Sequence, residues 1–263
     1  LEACGVVEEV GPDVTLFKVG DRVSHASMPI GAYSEKHIMP ENKLVPVPDG
    51  VSDEVASCVT LKGITAEYLL HRAYPLKKGD KVLYHAAAGA LGQILCPWAN
   101  SIGAEIIGTV GSKEKEEIAK KNGCHHVINY TDKNFVEEVE KIVGKNGIDV
   151  VYDGVGLKTF EGSIEVLKIR GMMVAFGNAS GYVDTIDVKK HINAKGLFFT
   201  RPSIAHYTIE REELLVSAKK VFDAFLSGKF KIEISKKYSL DEVKQAHKDL
   251  EGRLLTGPAV IKP

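Results

Sequence analysis

The residues whose types and spacing best suit a binding site lie between Lys81 and Gln93. There an apolar run is followed by small residues and then by a helical pattern. Ala87, Gly89 and Gly92 have the spacing of a G-x-G-x-x-G turn, with alanine in the first position. Glycine at the second position lets the backbone approach a pyrophosphate, and the N–H groups of the next helix can bind its oxygens. The spacing predicts a dinucleotide site, although a tight strand-to-helix turn that binds nothing has the same pattern.

The segment after this turn favours NADPH over NADH. A second apolar run, Glu105–Val110, completes a βαβ unit of about 30 residues. NAD-binding versions end this strand with a carboxylate that holds the ribose 2′-OH, whereas here Gly111 and Ser112 precede Lys113 and Lys115. A hydroxyl and two ammonium groups suit the charge of a 2′-phosphate. The alternative is an ordinary helix N-cap at Ser112 with solvated lysines.

Composition limits the function classes. The 263 residues are 44% hydrophobic and 26% charged, with a net charge of −1, which is typical of a folded globular protein without general attraction to nucleic acid or anionic membranes. The four cysteines are scattered without a C-x-x-C pair. We therefore expect free thiols, no metal site and a cytoplasmic location.

The rhythm of the sequence changes along the chain. Residues 1 to about 63 are short β segments broken by turns, which favours a small twisted or barrel-like sheet. Residues 78–200 alternate strands and helices, which predicts an α/β fold with a doubly wound parallel sheet. Strands that end in Asp153-Gly154-Val155-Gly156 and in Gly177-Asn178 are expected to line one crevice at the carboxyl edge of this sheet.

Local patterns predict individual elements outside this turn. Ser52 is expected to open a helix, and a separate helical stretch is expected after Gly63. Asp132 is a candidate cap for the helix that follows it. A strand is predicted near Lys231–Ile234, and a final strand, Ala259–Lys262, is expected to return to the sheet of the first domain.

Further motifs follow one another along the chain. They are Glu2-Ala3-Cys4-Gly5-Val6-Val7, Val19-Gly20-Asp21-Arg22-Val23, Gly31-Ala32-Tyr33-Ser34-Glu35, Leu61–Ala66, His85–Gly89, Val127–Tyr130, Tyr152–Gly156, Phe176–Asn178 and Thr200–Ser203. Together they resemble the zinc-independent, ζ-crystallin-like NADPH:quinone oxidoreductases of the medium-chain dehydrogenase/reductase superfamily. The resemblance implies a mainly β, GroES-like catalytic domain from residues 1–63 and 201–263 around an NADPH-binding Rossmann domain of residues 64–200.

The resemblance also implies which residues contact NADPH. By motif position they are Thr65 near the nicotinamide, Gly89, Ala90 and Leu91 at the pyrophosphate, Ser112, Lys115 and Tyr130 around the 2′-phosphate, Val155, Phe176, Gly177, Asn178 and Ser180 on the adenosine and pyrophosphate side, Phe199, Thr200 and Arg201 near the nicotinamide, and Arg253 returning toward the cofactor. The alternatives for Tyr130 and Arg253 are an aromatic with its hydroxyl in water and a solvated charge after the last helix.

Zinc-dependent relatives place a histidine immediately before the glutamate of the opening motif, where this chain has Leu1. Leucine cannot bind zinc, so a metal-free site is expected. Family members also carry residues upstream of this motif, so the chain is expected to be N-terminally truncated and to turn over less well.

The expected reaction is hydride transfer from NADPH to a quinone or another conjugated carbonyl. No residue is assigned as the general acid; Tyr33 is the visible candidate, but a packed strand aromatic fits its motif better. One alternative is an enone or 2-alkenal reductase of the same fold. Another is a non-catalytic, crystallin-like protein that binds NADPH or RNA, although the net charge makes nucleic acid a poor partner. A homodimer is expected, with Leu197–Thr200 as a candidate edge strand.

Overall fold

The computed structural model describes residues 1–252 and 254–263, which divide into two compact units. The first unit comprises Leu1–Glu67 and Ile204–Pro263, and the second comprises Tyr68–Ser203. The second unit is therefore one continuous segment inserted between the two parts of the first. Every helix within the described residues is too short or too polar to cross a lipid bilayer.

The elements are numbered in chain order. The strands of the described residues are β1 Ala3–Val6, β2 Arg22–His25, β3 Val45–Pro46, β4 Lys81–His85, β5 Glu105–Val110, β6 His126–Asn129, β7 Ile148–Asp153, β8 Leu167–Ala175, β9 Phe198–Thr200, β10 Lys236–Ser239 and β11 Ala259–Lys262. The α-helices of the described residues are α1 Asp53–Tyr68, α2 Gly92–Ile102, α3 Lys113–Lys121, α4 Phe135–Val143, α5 Phe160–Val166, α6 Ile204–Tyr207, α7 Arg211–Leu226 and α8 Val243–Glu251.

The first unit begins with an antiparallel sheet in the order β1-β2-β3. The start of β1 is fixed to α1 by the Glu2 carboxylate, which accepts hydrogen bonds from Leu61 N at 2.9 Å and Lys62 Nζ at 2.6 Å. Arg22 on β2 binds Asp53 at the start of the same helix, with Nη2 and Oδ1 2.6 Å apart. These contacts hold the small sheet against α1.

One helix replaces the two that were expected around Gly63. Ser52 opens it as predicted, because the Ser52 hydroxyl accepts from Val55 N at 3.3 Å. The predicted break at Gly63 is wrong, because α1 continues through it to Tyr68. A Cβ atom at Gly63 would overlap the side chain of Val221 on α7. Glycine at this position therefore allows two helices to approach closely and does not end one.

The end of the chain forms a separate two-stranded sheet. The predicted strand at Lys231–Ile234 is wrong, because pairing starts only at Ser235, whose N–H donates to Pro258 O at 2.8 Å. The predicted strand Ala259–Lys262 is confirmed, but it pairs in parallel with β10 and not with the β1-β2-β3 sheet. Asp249 on α8 fixes β10 in this place by accepting from Tyr238 Oη at 2.6 Å.

The second unit is built on a six-stranded parallel sheet in the order β6-β5-β4-β7-β8-β9, as the alternating pattern predicts. β7, one of its two central strands, is buried along its whole length, and all its residues apart from Asp149 and Asp153 are hydrophobic. Because all six strands run in the same direction, their carboxyl ends meet at one edge. The glycine-rich ends of β4, β7 and β8 therefore lie at the same edge.

The cap of α4 differs from the prediction. Asp132 does not begin the helix; Asn134 does, because its side-chain oxygen accepts from Val136 N at 3.0 Å. Asp132 instead accepts from Asn129 Nδ2 at 3.1 Å. Asn129 also accepts from the backbone and hydroxyl of Thr131, so Asp132 belongs to the turn that closes β6.

A buried polar chain of Thr109, His85, Ser163 and Asp153 crosses the core of the second unit. His85 Nδ1 lies 2.9 Å from Thr109 Oγ1, and Nε2 lies 2.9 Å from Ser163 Oγ. The Ser163 hydroxyl donates to Asp153 Oδ2 at 3.1 Å. Because that proton is already committed, Ser163 accepts from His85 Nε2–H, and the other ring nitrogen accepts from Thr109. Burial lowers the pKa of His85, so the ring stays neutral.

Replacing Gly63 with alanine should destabilise the first unit by about 1–3 kcal/mol, because the new methyl group would overlap Val221. Urea unfolding of Gly63→Ala against the unchanged protein measures this loss. Gly5→Ala is the matched control, since a Cβ atom at Gly5 has no neighbour within 4 Å. Equal stability of the two variants would contradict the close helix contact.

The neutral ring of His85 should make stability fall on acidification. Its folded-state pKa lies below the 6.5 of an ordinary histidine, so the unfolded chain takes up this proton first. The unfolding free energy should be fully retained above about pH 7 and decline below about pH 6.5, by at most about 1.4 kcal/mol per pH unit from this group. Urea unfolding across this range tests it. His85→Gln should show a shallower decline, and an unchanged slope would exclude His85 as the source.

Candidate functional site

The turn after β4 brings the backbone of α2 unusually close to the strand. A Cβ atom at Gly92 would overlap the carbonyl group of Ala87, so only glycine allows α2 to begin at this position. Ala86 has a positive φ of 62°, and its carbonyl accepts from Gly89 N at 2.9 Å. Gly92 therefore lets α2 pack closely against the end of β4.

The same turn presents unused donors at the amino end of α2. Within residues 1–252 and 254–263, the N–H groups of Ala90 and Leu91 donate to no protein acceptor. These donors lie where the partial positive charge of the helix end is concentrated. Such an arrangement fits the oxygens of a phosphate group without further polar side chains.

The ends of β5 and β6 bring together the residues predicted for the 2′-phosphate. The Ser112 hydroxyl caps α3 by accepting from Lys115 N at 3.4 Å, and it donates to Glu114 Oε2 at 3.1 Å. Tyr130 follows β6, and its hydroxyl lies 2.6 Å from where a Cβ atom of Gly111 would be. Ser112 is therefore a helix cap, as its alternative interpretation held, and it shares one end of the sheet with Tyr130.

The helix turn that Ser112 caps carries an ammonium group and a carboxylate, those of Lys115 and Glu114. The Lys115 side chain is half-buried, and no ion pair of its Nζ occurs among the described residues. Glu114 is exposed, so its carboxylate can turn into water and release the hydroxyl of Ser112. The site can then offer one hydroxyl and one ammonium group to an anion.

The turns after β7 and β8 are joined into one layer. Ser180 N donates to Val155 O at 2.8 Å, and its hydroxyl donates to the same carbonyl at 2.8 Å while accepting from Lys158 N at 3.0 Å. A Cβ atom at Gly177 would overlap the carbonyl oxygen of Gly154. The predicted residues Val155, Gly177 and Ser180 thus lie together, and the Ser180 hydroxyl is used within the protein.

Phe176 and Asn178 complete this layer. The Phe176 ring stacks on Tyr84, with 6.4 Å between centroids and 6° between planes, and it lies over Gly154. The backbone carbonyl of Asn178 accepts from Gly181 N at 3.0 Å. These contacts fix the Phe176 ring between the ends of β4, β7 and β8.

The residues predicted near the nicotinamide differ in whether their side chains are packed in the core or exposed. The Phe199 side chain packs into the core, 6.3 Å from Phe160, and Thr200 pairs with Val174 on β8. Arg201 is exposed, and its Nη1 donates to Pro202 O at 3.2 Å. Phe199 therefore contributes its side chain to packing.

Two further sequence candidates, Thr65 and Tyr33, belong to the first unit. The Thr65 hydroxyl donates to Leu61 O at 2.8 Å within α1. Arg253 lies outside the described residues. The interpretation of Tyr33 as a packed strand aromatic is wrong, because Tyr33 lies in no strand, is 54% exposed and meets the His247 ring edge-on at 5.8 Å.

Metal-ligating side chains do not cluster in the described part of the chain. No group of three or more histidine, cysteine, aspartate or glutamate residues there is arranged to hold a metal ion. His25 and His37 bring two rings within 5.1 Å of each other. Two imidazoles are fewer than the three or four protein ligands of a zinc site.

The cysteines are free thiols, and most are buried. Burial raises the pKa of Cys4 to about 12 and that of Cys58 to about 11. A hydrogen bond with Cys124, together with burial, raises the pKa of Cys96. These three thiols remain protonated at neutral pH.

Sequence reasoning missed the part that Asp153 plays. This carboxylate is fully buried, and it accepts hydrogen bonds from Val155 N at 2.7 Å and Gly156 N at 3.0 Å. Thr159 Oγ1 donates to its other oxygen at 2.7 Å. The available signal was an acidic residue at the end of a buried strand, directly before the glycines Gly154 and Gly156.

Comparisons with known proteins agree with this geometry. A zinc-binding dehydrogenase family model matches residues 90–218, and an alcohol dehydrogenase GroES-like domain model matches residues 1–49. The chain is 46% identical to a 2-haloacrylate reductase from Burkholderia sp and 42% identical to a quinone oxidoreductase from Pseudomonas aeruginosa. It aligns along its full length and covers 80% and 81% of these relatives.

Solved structures give the same result. The Escherichia coli quinone oxidoreductase complexed with NADPH superposes with a TM-score of 0.96 at 41% identity, covering 100% of this chain and 81% of that one. A 2-haloacrylate reductase structure superposes with a TM-score of 0.93 at 45% identity, covering 100% and 82%. The chain therefore belongs to the quinone oxidoreductases of the medium-chain dehydrogenase/reductase superfamily, a family of NADPH-dependent oxidoreductase enzymes.

Proposed function

We propose that this enzyme uses NADPH to reduce a quinone without a metal ion. The observation that carries the proposal is the edge of the parallel sheet, where the unused N–H groups of Ala90 and Leu91 adjoin a strand end with a hydroxyl and an ammonium group. When bound, NADPH supplies a hydride from C4 of its nicotinamide. Relatives named quinone oxidoreductases are 41–42% identical to the chain, which supports quinones as acceptors.

Each part of the site has a proposed task. Ala90 and Leu91 bind the pyrophosphate through their N–H groups, since these donors have no protein acceptor among the described residues. Ser112 and Lys115 bind the 2′-phosphate, with Tyr130 beside them. The remaining residues proposed to contact the cofactor are Thr65, Gly89, Val155, Phe176, Gly177, Asn178, Ser180, Phe199, Thr200, Arg201 and Arg253.

The proposed reaction asks little acid–base chemistry of the protein. A quinone spreads incoming charge over a conjugated ring system, so the main tasks are to align two flat rings and to exclude water. Protons for the quinol oxygens can come from solvent. Residues 1–63 and 201–263 are proposed as the catalytic domain, and residues 64–200 as the NADPH-binding domain.

A second candidate is reduction of another conjugated carbonyl. The 2-haloacrylate reductase from Burkholderia sp is 46% identical to this chain, slightly more than the quinone oxidoreductases quoted above. Its name describes an activated alkene, which receives hydride at carbon. The enone or 2-alkenal reductase alternative follows from this similarity.

Initial rates of NADPH oxidation should separate these two functions. We expect a benzoquinone and a naphthoquinone to give kcat/KM at least about tenfold above 2-chloroacrylate and a small α,β-unsaturated ketone, a difference of about 1.4 kcal/mol in the transition state. The assay is run with and without a metal chelator, which should leave the rate unchanged. A clear preference for the alkene substrates would reject quinone as the acceptor.

The cofactor preference should depend on Lys115. Lys115→Glu removes an ammonium group and adds a carboxylate, so the Kd for NADPH should rise at least about tenfold more than the Kd for NADH. Fluorescence titration measures both constants. Lys120→Glu makes the same charge change at the other end of α3 and should alter neither ratio. Equal losses for both cofactors in Lys115→Glu would remove Lys115 from the 2′-phosphate site.

A non-catalytic role is the remaining alternative from the sequence. It would require NADPH binding without acceptor-dependent oxidation by any compound in the screen. Its RNA-binding form would show a gel shift that weakens as salt rises. The net charge of −1 gives no general support to it.

Assembly and location are also part of the proposal. We propose a homodimer formed along β9, one of the two edge strands of the parallel sheet, where the Phe198 side chain is 57% exposed. Sedimentation velocity would reject this if it gave a monomer. The free thiols support a reducing compartment such as the cytoplasm, and labelling of cysteines in whole cells would test it.

A further inference from the structure

We propose that Asp153 is a positioning residue that holds the turn Gly154–Gly156 in the shape needed to bind the cofactor. The inference rests on the proposed function, since it concerns the same edge of the sheet. Asp153 does not itself touch the cofactor in this proposal. It acts through the backbone of the turn that follows it.

The two oxygens of the Asp153 carboxylate divide their work. Oδ1 accepts from the N–H groups of Val155 and Gly156 at 2.7 and 3.0 Å. Oδ2 accepts from the hydroxyls of Thr159 and Ser163 at 2.7 and 3.1 Å. Oδ1 therefore fixes the backbone of the turn, and Oδ2 fixes the start of α5.

Burial of the Asp153 carboxylate costs free energy that its hydrogen bonds to the protein must offset. The side chain has no exposed surface, and no lysine or arginine of the described residues forms an ion pair with it. A buried charge without a counter-ion is costly unless hydrogen bonds replace its lost water. Four donors do so here, and two of them are backbone groups of the turn itself.

The buried polar chain extends this control to the neighbouring strands. Its hydrogen bonds all run in one direction, from Thr109 to His85, from His85 to Ser163 and from Ser163 to Asp153. His85 is the last residue of β4 and directly precedes the glycine-rich turn. Thr109 lies on β5, just before Gly111 and Ser112. The carboxylate therefore sets the relative position of three strand ends that are proposed to hold the cofactor.

The turn also carries the layer after β8. Ser180 binds the carbonyl of Val155 through both its N–H and its hydroxyl. Gly177 packs on Gly154 without room for a side chain. A turn released from Asp153 would therefore displace both segments proposed to contact the adenosine and pyrophosphate side.

Asp153→Ala tests the positioning role. Four donors lose their acceptor, so the Kd for NADPH and the Kd for NADH should both rise at least about tenfold, because the turn serves the part that the two cofactors share. The KM for NADPH should rise with the Kd, while kcat for the quinone stays within about twofold. This common loss differs from Lys115→Glu, which should affect NADPH selectively.

Asp149→Ala is the matched control. Asp149 is a second buried carboxylate on β7, at the opposite end of the strand, where it accepts from Lys81 N at 2.7 Å. Its loss should lower stability in urea unfolding without changing the Kd for either cofactor by more than about twofold. If Asp149→Ala weakens NADPH binding as much as Asp153→Ala, the effect is general destabilisation and the positioning role is overturned.

Asp153→Asn tests the direction of the buried hydrogen-bond chain separately from stability. The amide oxygen can keep the two backbone N–H groups, and the amide nitrogen must then donate to Thr159 and Ser163. Ser163 would turn its proton toward His85, and the ring proton would shift from Nε2 to Nδ1. Nitrogen-15 NMR of the ring distinguishes these tautomers in a variant whose Kd for NADPH stays within about twofold of the unchanged protein.

The outcomes are separable. The unchanged protein must bind NADPH, and its failure to do so overturns the proposed function together with this inference. Where it binds, an Asp153→Ala Kd within about twofold of normal overturns the inference alone. If Asp153→Ala does not fold, Asp153→Asn decides: an inverted His85 tautomer supports the directed chain through which Asp153 is inferred to position the strand ends, and an unchanged tautomer overturns the inference.

Discussion

The close approach of Gly92 to the carbonyl group of Ala87 is the constraint on which the site depends. A side chain at position 92 would push α2 away from β4. The N–H groups of Ala90 and Leu91, which have no protein acceptor among the described residues, would move with it. The carboxyl edge of the sheet would then lose the helix end that follows β4. The parallel sheet then gathers the other strand ends around this point, because all its carboxyl ends share one edge.

Sequence patterns predict the second unit well because β4, β5 and β7 are almost fully buried, and glycine-rich turns follow several of its strands. Glu105–Val110 has the predicted bounds, and the edge position of β9 follows from the chain order. The patterns were weaker where several polar residues compete for one role. Asp132 and Asn134 are both good helix caps. The Asp132 carboxylate accepts a hydrogen bond from Asn129, and Asn134 caps the helix instead. At Lys231–Ile234 the alternation is typical of a strand, but its pairing partner begins only opposite Ser235.

The glycine-rich turn could be predicted from sequence because its residues are consecutive and each spacing has a physical reason. The buried polar chain could not, since His85 and Ser163 are 78 positions apart and meet only after the sheet forms. For Ser112 the sequence allowed two interpretations, a helix cap and a phosphate ligand, and the two are compatible. Its hydroxyl caps α3 and stands at the strand end where a phosphate would bind, so the structural role does not exclude the functional one.

The state of the cysteines has a consequence for an enzyme that handles quinones. Quinones are electrophiles that alkylate thiolate anions, so each ionised cysteine is a point of self-inactivation during turnover. Cys58, Cys96 and Cys124 are buried, and the pKa values of Cys4, Cys58 and Cys96 lie above neutrality. Burial of Cys58, Cys96 and Cys124 and the raised pKa values of Cys4, Cys58 and Cys96 therefore protect these thiols from alkylation by the acceptor.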